Sequence, residues 1–373
     1  MPDPCDGGLG AGEGNVFMRY FRNSFLVTFA GLILGAFVGY EATGTLSGTL
    51  SSVFIVAVLA ILEVSLSFDN AVVNASVLRE MTPEWRHRFI TWGIAIAVFG
   101  MRIVFPLAIV AIIARIDPFS AVKMAALNPD EYSRVLTTAH VPVAAFGGAF
   151  LAMVGLKHFI DREKDVHWFA AIERPLTRLG RIEAFALGLC LLLLYAVSRQ
   201  LPHEEQVEFL VAGIFGLVTY IGVDGLAAVL DAESAVTGAA ARSGLAAFLY
   251  LEVLDASFSF DGVIGAFALS NNLFIIAIGL GVGAMFVRSL TIMLVDQGTL
   301  ASYRYLEHGA FYAIIALGVI MFLKTFMEVP EVVTGLIGAG FIVAAFLDSI
   351  RYNRRHLKTR AASAPARRDT GAA

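Results

Sequence analysis

Charge is scarce in this sequence: only 16% of its 373 residues are Asp, Glu, Lys or Arg, against about 25% in an ordinary soluble domain. With 58% of its residues apolar and a mean hydropathy of +0.75, such a chain has too little polar surface for a globular cytosolic enzyme. Cysteine is nearly missing as well. Cys5 lies in a Gly-rich N-terminal stretch and Cys190 in an apolar run, which argues against a disulfide framework, a zinc site or a CxxC redox pair. No GxxxxGK[ST] phosphate loop occurs, so an ATP-driven pump has no support. Basic residues sit in short loops and a C-terminal tail, a pattern that does not suggest nucleic-acid binding. The first twenty residues are acidic and Gly-rich rather than basic and then apolar, which reads as a disordered tail and not a cleaved leader.

Long apolar runs are what the chain does have. A membrane-spanning helix needs ~20 apolar residues, and ten runs can be laid out, at roughly 24–40, 52–78, 89–114, 139–157, 182–198, 208–231, 246–270, 273–295, 308–327 and 331–350. The expected fold class is therefore all-α, a polytopic membrane protein with about ten transmembrane helices. Residues 1–23 read as a disordered tail, 24–200 and 201–350 as two transmembrane repeats, and 351–373 as a basic tail. Twenty of the 27 Lys and Arg fall on one side of this layout, while the other side receives only Arg115, Lys123, Arg134, Arg199 and Lys324. The positive-inside rule then makes both termini cytoplasmic and turns the 115–138 connection outward. The expected location is a cell (inner) membrane crossed several times.

The two halves carry a duplicated motif. Glu63-Val-Ser-Leu-Ser67-Phe-Asp69-Asn70 returns as Asp255-Ala-Ser-Phe-Ser259-Phe-Asp261-Gly262, shifted by 192 residues. Arg102 and Arg288 follow on the next runs, each nine residues after a glycine, Gly93 or Gly279. The motif copies lie five spans apart, an odd number, so the two five-helix repeats should have opposite orientations. That is the inverted-repeat plan of secondary transporters, whose substrate sites form near the bilayer midplane.

Glu63, Asp69, Asp255 and Asp261 all fall inside apolar runs, where a charged side chain costs at least ~2.5–3.5 kcal/mol unless it is compensated. Residues six apart lie about 120° around a helix, so the two acids of one motif do not share a face cleanly. A helix broken near Asn70 or Gly262 would free carbonyl oxygens to join them, the break being more expected at Gly262, with Gly265 close by. Carboxylates, the Ser67 and Ser259 hydroxyls, the Asn70 amide and freed carbonyls are oxygen ligands that suit Mn, Mg or Ca rather than zinc or copper. The competing reading makes the acids structural ion-pair partners of Arg102 and Arg288, which serve as counter-ions in either case. Asp224 has no equivalent in the first half, where Ile33 stands, and could be a coupling acid or a simply hydrogen-bonded one. Weaker candidates are Asn74, one turn past Asn70, and Glu252, one turn before Asp255 and placed nearer the cytoplasmic entrance. Lys157, Lys324 and Asp296 are expected to snorkel at span ends. His158 and His167 are expected to be solvated in cytoplasmic loops.

The duplicated acidic motif with its two arginines resembles the TerC family, integral membrane proteins first named for tellurium resistance and grouped in the LysE superfamily of exporters. The resemblance covers about residues 52–327. It implies a metal-ion exporter with manganese(II) as the favoured cargo and no resident cofactor. It also implies metal ligands at Glu63, Asp69, Asn70, Asp255 and Asp261. Gly262 stands where the family's second motif usually has Ser, and the long outward connection marks a divergent branch. The resulting expectation is no enzyme but a secondary exporter of a divalent cation, with proton antiport a natural coupling. Its partners would be the ion and the bilayer, with room for a homodimer or another membrane protein. An accessory protein that supplies metal to, or assembles with, other membrane or secreted proteins is the second class of function.

Overall fold

In the computed structural model the described residues are 12–93, 95–161, 166–179, 184–237, 241–267 and 269–363, and among them there are helices and no strands. The first half holds α1 (Gly12–Thr43), α2 (Leu46–Leu66), α3 (Phe68–Glu80), α4 (Pro83–Arg88) and α5 (Phe105–Ile113), with two π-helical stretches, Phe89–Gly93 and Ile96–Val104, between the last two. It continues through α6 (Pro118–Leu127), α7 (Pro129–Thr138), α8 (His140–Ile160), α9 (Ala170–Leu179) and α10 (Phe185–Ser198). The second half holds α11 (His203–Thr237), α12 (Ala241–Ala266), α13 (Leu273–Asp296), α14 (Thr299–Ser302), α15 (Leu306–Lys324) and α16 (Glu331–Ser363).

Eight helices among the described residues are long and apolar enough to cross a membrane: Met18–Thr43, Leu46–Leu66, Pro83–Ile113, His140–Ile160, His203–Leu226, Leu273–Asp296, Leu306–Lys324 and Glu331–Arg355. The other two expected runs are also helical. One is α10, with 14 residues, and the other is α12, whose 26 residues carry Glu252, Asp255 and Asp261. Their shortness and their acids, respectively, set them apart from the eight.

α8, α13 and α15 form the buried middle, with α8 against α11 and α15, and α13 against α1 and α2. Outer helices turn large apolar side chains outward, among them Phe29, Phe54 and Phe215. Such faces suit lipid rather than water. Local chemistry sets the element ends. Gly44, at φ +61, makes the tight turn from α1 to α2. The Thr45 hydroxyl then accepts the Gly48 N–H at 3.1 Å as N-cap. Asn272 caps α13 in the same way, accepting the Phe274 N–H at 2.9 Å.

Two readings of the tails need correcting, and one long connection is itself helical. The 115–138 connection contains α6 and α7, whose Ala121, Tyr132 and Leu136 are buried against α5 and the end of α12. Asp117 caps α6, and the Ser120 hydroxyl with the Ser120 and Phe119 N–H groups holds its carboxyl below the usual range. α1 begins at Gly12, inside the stretch read as a tail, and Phe21 and Phe25 pack on Phe286 with ring centroids 6.0 and 5.4 Å apart. The C-terminal basic stretch continues α16 as helix to Ser363. Cys190 is free and buried in α10, whereas Cys5 lies outside the described residues.

Candidate functional site

The first motif does break its helix. α2 stops at Leu66, Ser67 leaves the helical region at φ −104 and ψ 17, and α3 restarts at Phe68. The Ser67 N–H still donates to the Glu63 carbonyl at 3.0 Å, and its hydroxyl donates to Glu63 Oε1 at 3.3 Å. A new helix start inside an apolar bundle leaves N–H groups without intrahelical acceptors and a positive dipole end. Asp69 sits in that first turn, where Oδ1 accepts the Asn70 N–H at 3.0 Å. The second motif departs from expectation: α12 runs unbroken from Ala241 to Ala266, straight through Ser259 and Gly262. Its Ser257 hydroxyl is satisfied within the helix by the Val253 carbonyl at 3.0 Å. Gly262 faces the Glu63 side chain, whose Oε2 is 3.5 Å from where a Cβ would stand, an ordinary contact distance, and the helix passes through it without a break.

α2, α3, the second π-helical stretch, α12 and α13 line a partly open cavity of about 30 Å³, enough for a water or two or for one small ion. Its polar lining is Glu63, Ser67, Asn70, Asn74, Arg102, Asp255, Ser259, Arg288 and Thr291. Glu63 and Arg102, 4% and 2% exposed, form a direct ion pair, and Arg102 also donates to the Ala97 carbonyl. Across the cavity the Asn74 amide donates to Asp255 Oδ1 at 2.8 Å. Arg288 rests on the Phe89 ring, 4.0 Å from its centroid. Two buried oxygens, Asn70 Oδ1 and Asn74 Oδ1, have no hydrogen-bond donor.

The expected ligands are therefore only partly assembled. Glu63, Asn70 and Asp255 line the cavity together with Ser67, Ser259, Arg102 and Arg288. Asp69 does not. It is buried at the start of α3 and turned toward α16, with Oδ2 3.3 Å from where a Gly338 Cβ would stand. One residue of helix rotates a side chain by about 100°, which sends Asn70 inward and Asp69 away. The Asp261 side chain lies outside the described residues, although its backbone is part of α12. Among the described residues no three His, Cys, Asp or Glu side chains group closely enough to hold a metal by themselves. Asp224 is far from this chemistry as well: it is half exposed on α11 and pairs with Lys157 at 3.8 Å.

Several polar side chains take places that the sequence left open or placed elsewhere. Glu252 is buried beside Arg288 and Gly93. Its position one turn before Asp255 was the available signal. Lys324 does not snorkel; it is buried and bonds Glu331 Oε1 at 2.8 Å. At the far end of α8, Glu173 of α9 is 1% exposed and accepts the N–H groups of Trp168 and Phe169 and the Tyr312 hydroxyl. His308 Nε2 lies 3.6 Å from Glu173 Oε2, and the His158 ring stacks on Phe311 at 3.5 Å, so His158 is packed rather than solvated. Those partners are remote in sequence, and only folding brings them together.

Several long apolar helices around a buried polar centre define a multi-pass helical membrane protein. Comparison with known proteins agrees. A relative in Myxococcus xanthus, described as "Uncharacterized membrane protein STKORF319", is 26% identical over 317 residues, covering 82% of this chain and 75% of its own. The chain belongs to the family described as "Protein of unknown function (DUF475)", whose model matches residues 68–356. That stretch takes in Asn70, Asn74, Arg102, Asp255 and Arg288, while Glu63 lies just before it. No solved structure matches the chain.

Proposed function

We propose that this protein is a secondary transporter that exports a divalent cation, with manganese(II) the favoured ion, through the cavity between α2–α3 and α12–α13. The observation that carries this reading is the pair of buried, donor-free amide oxygens, Asn70 Oδ1 and Asn74 Oδ1, one turn apart beside the Asp255 carboxylate. Buried acceptors without donors are costly, and a hard cation would satisfy them with the oxygen ligands it prefers. The resemblance to the TerC family supports the same class of cargo.

The proposed architecture is ten spans in two inverted halves, with α10 and α12 completing the eight longer helices. In its favour, α2 packs on α13 and α12 packs on the second π-helical stretch. Each motif helix thus meets the arginine-bearing segment of the other half. A helix broken at Ser67 is also a device of transporter sites. Both termini would be cytoplasmic, in an inner membrane. Alkaline phosphatase fused within 118–132 should then be active and fused within 160–178 silent; the reverse pattern would overturn the orientation.

The transport test uses purified protein in vesicles loaded with a manganese-quenched dye. Wild type should quench the dye, Asp255→Asn should fall to the rate of empty vesicles, and Asp69→Asn should keep most of its flux, because Asp69 faces α16. A wild type no faster than empty vesicles would overturn transport and favour the accessory role, in which a stable membrane partner should co-purify.

A further inference from the structure

The first half of the centre balances its charges, Glu63 with Arg102. The second half does not. Glu252 has no counterpart 192 residues earlier, where Ala60 stands, so Arg288 lies between two carboxylates: it lines the cavity with Asp255 and sits beside Glu252 at Gly93. Glu252 is 8% exposed and Arg288 7%. Yet neither oxygen of Glu252, and neither Nε nor Nη2 of Arg288, has a hydrogen-bond partner. Gly93 lies between them. A Cβ on Gly93 would stand 2.7 Å from Arg288 Nη2 and 2.8 Å from Glu252 Oε1, closer than a real methyl tolerates. The missing side chain thus keeps an open gap across which the two charged groups face each other. The Phe89 ring supports the guanidinium from below through its π face, leaving those N–H donors unused.

We propose that Glu252 is a docking carboxylate for Arg288, which closes onto Glu252 when a cation binds beside Asp255 in the cavity. This rests on the cation-transport reading of the same site. An arriving cation and a guanidinium compete for Asp255, since two positive charges within a few ångströms repel strongly where water is excluded. With Asp255 neutralised by the cation and no other partner at hand, the guanidinium would remain as an uncompensated buried charge. Glu252 removes that penalty, and the gap at Gly93 is the space in which the new pair closes. Glu252 is therefore a positioning residue: it acts on the ion through Arg288 and needs no contact with it.

The test is manganese(II) binding to the purified full-length protein, with free ion read by its electron paramagnetic resonance signal and folding by thermal melting in detergent. Glu252→Gln should raise the dissociation constant about tenfold, the effect of one close charge contact in a partly screened site. Glu252→Asp should recover part of that loss. The double variant Glu252→Gln/Arg288→Gln should bind more tightly than Glu252→Gln alone, because the competitor for Asp255 has gone; a purely structural Glu252 would make the double variant worse. Gly93→Ala, which fills the gap, should weaken binding with Glu252 intact and serves if Glu252→Gln fails to fold. Wild-type binding with Glu252→Gln or Gly93→Ala unaffected, or a double variant no better than the single, would overturn the docking role alone. A wild type that binds no manganese would overturn the transport reading as well.

Discussion

Replacing Arg102 with leucine is expected to destabilise the protein by about 3–5 kcal/mol, the usual result of stripping one partner from a buried ion pair. Glu63 and Arg102 are both almost fully enclosed, and Arg102 is the direct ionic partner of Glu63 among the described residues. The Ser67 hydroxyl, at 3.3 Å, is a weak substitute for a guanidinium. Without Arg102 the Glu63 carboxylate must either stay charged in an apolar bundle or take up a proton, and both courses cost stability. The double variant Glu63→Leu/Arg102→Leu should regain most of the loss, since replacing both members of a buried pair with apolar groups is often close to neutral. Thermal unfolding of wild type, Arg102→Leu, Glu63→Leu and the double variant in one detergent completes the cycle. A double variant no more stable than Arg102→Leu would show that the pair is not the source of the effect.

Gly283→Leu should cost about 1–3 kcal/mol by overpacking and, in addition, disable the site. A Cβ at Gly283 would stand 2.5 Å from Glu63 Cβ and 2.8 Å from the Ala60 carbonyl. The carbonyl belongs to the α2 backbone and has no rotamer with which to escape, so α13 and α2 must separate. Gly279, one turn earlier, meets Leu59 Cβ at 2.6 Å in the same way. Together they form a Gly-x-x-x-Gly contact of the kind that lets membrane helices approach closely. Because α2 carries Glu63 and α13 carries Arg288, separation should lower the melting temperature and the manganese flux together. Gly222→Leu is the matched control, because nothing lies within 4 Å of a Cβ built there. Equal melting temperatures for Gly283→Leu and wild type would refute the packing argument.

The membrane class was legible because it rests on composition: nearly every apolar run became a helix at about its expected place. The pairing of Glu63 with Arg102 was legible for a similar reason, since intramembrane charges are few and seek each other. Rotation within the motif was not. Asp69 and Asn70 are neighbours in sequence, and a displacement of a single residue in the restart of α3 decides which one faces the cavity. The break itself occurred at Ser67 and not near Gly262, although glycine is the more permissive residue. In α12, Gly262 stays within an unbroken helix beside Glu63, a tertiary setting that no local pattern encodes. Glu252 was visible but assigned to the entrance, because the role of Gly93 as a gap-holder emerges only when three segments meet.

The one non-helical residue at Ser67 makes the two halves mechanically unlike. α2 lies with α1 and α13, while α3 lies with α13 and α15. A rod jointed at Ser67 can change its bend by adjusting one or two backbone torsions, so α2 can tilt while α3 keeps its place. α12 has no such joint and must move as a single beam, carrying Glu252, Asp255 and Ser259 together. Any opening of the cavity is thus shared unequally, as flexing on the side of Glu63 and as rigid rocking on the side of Asp255.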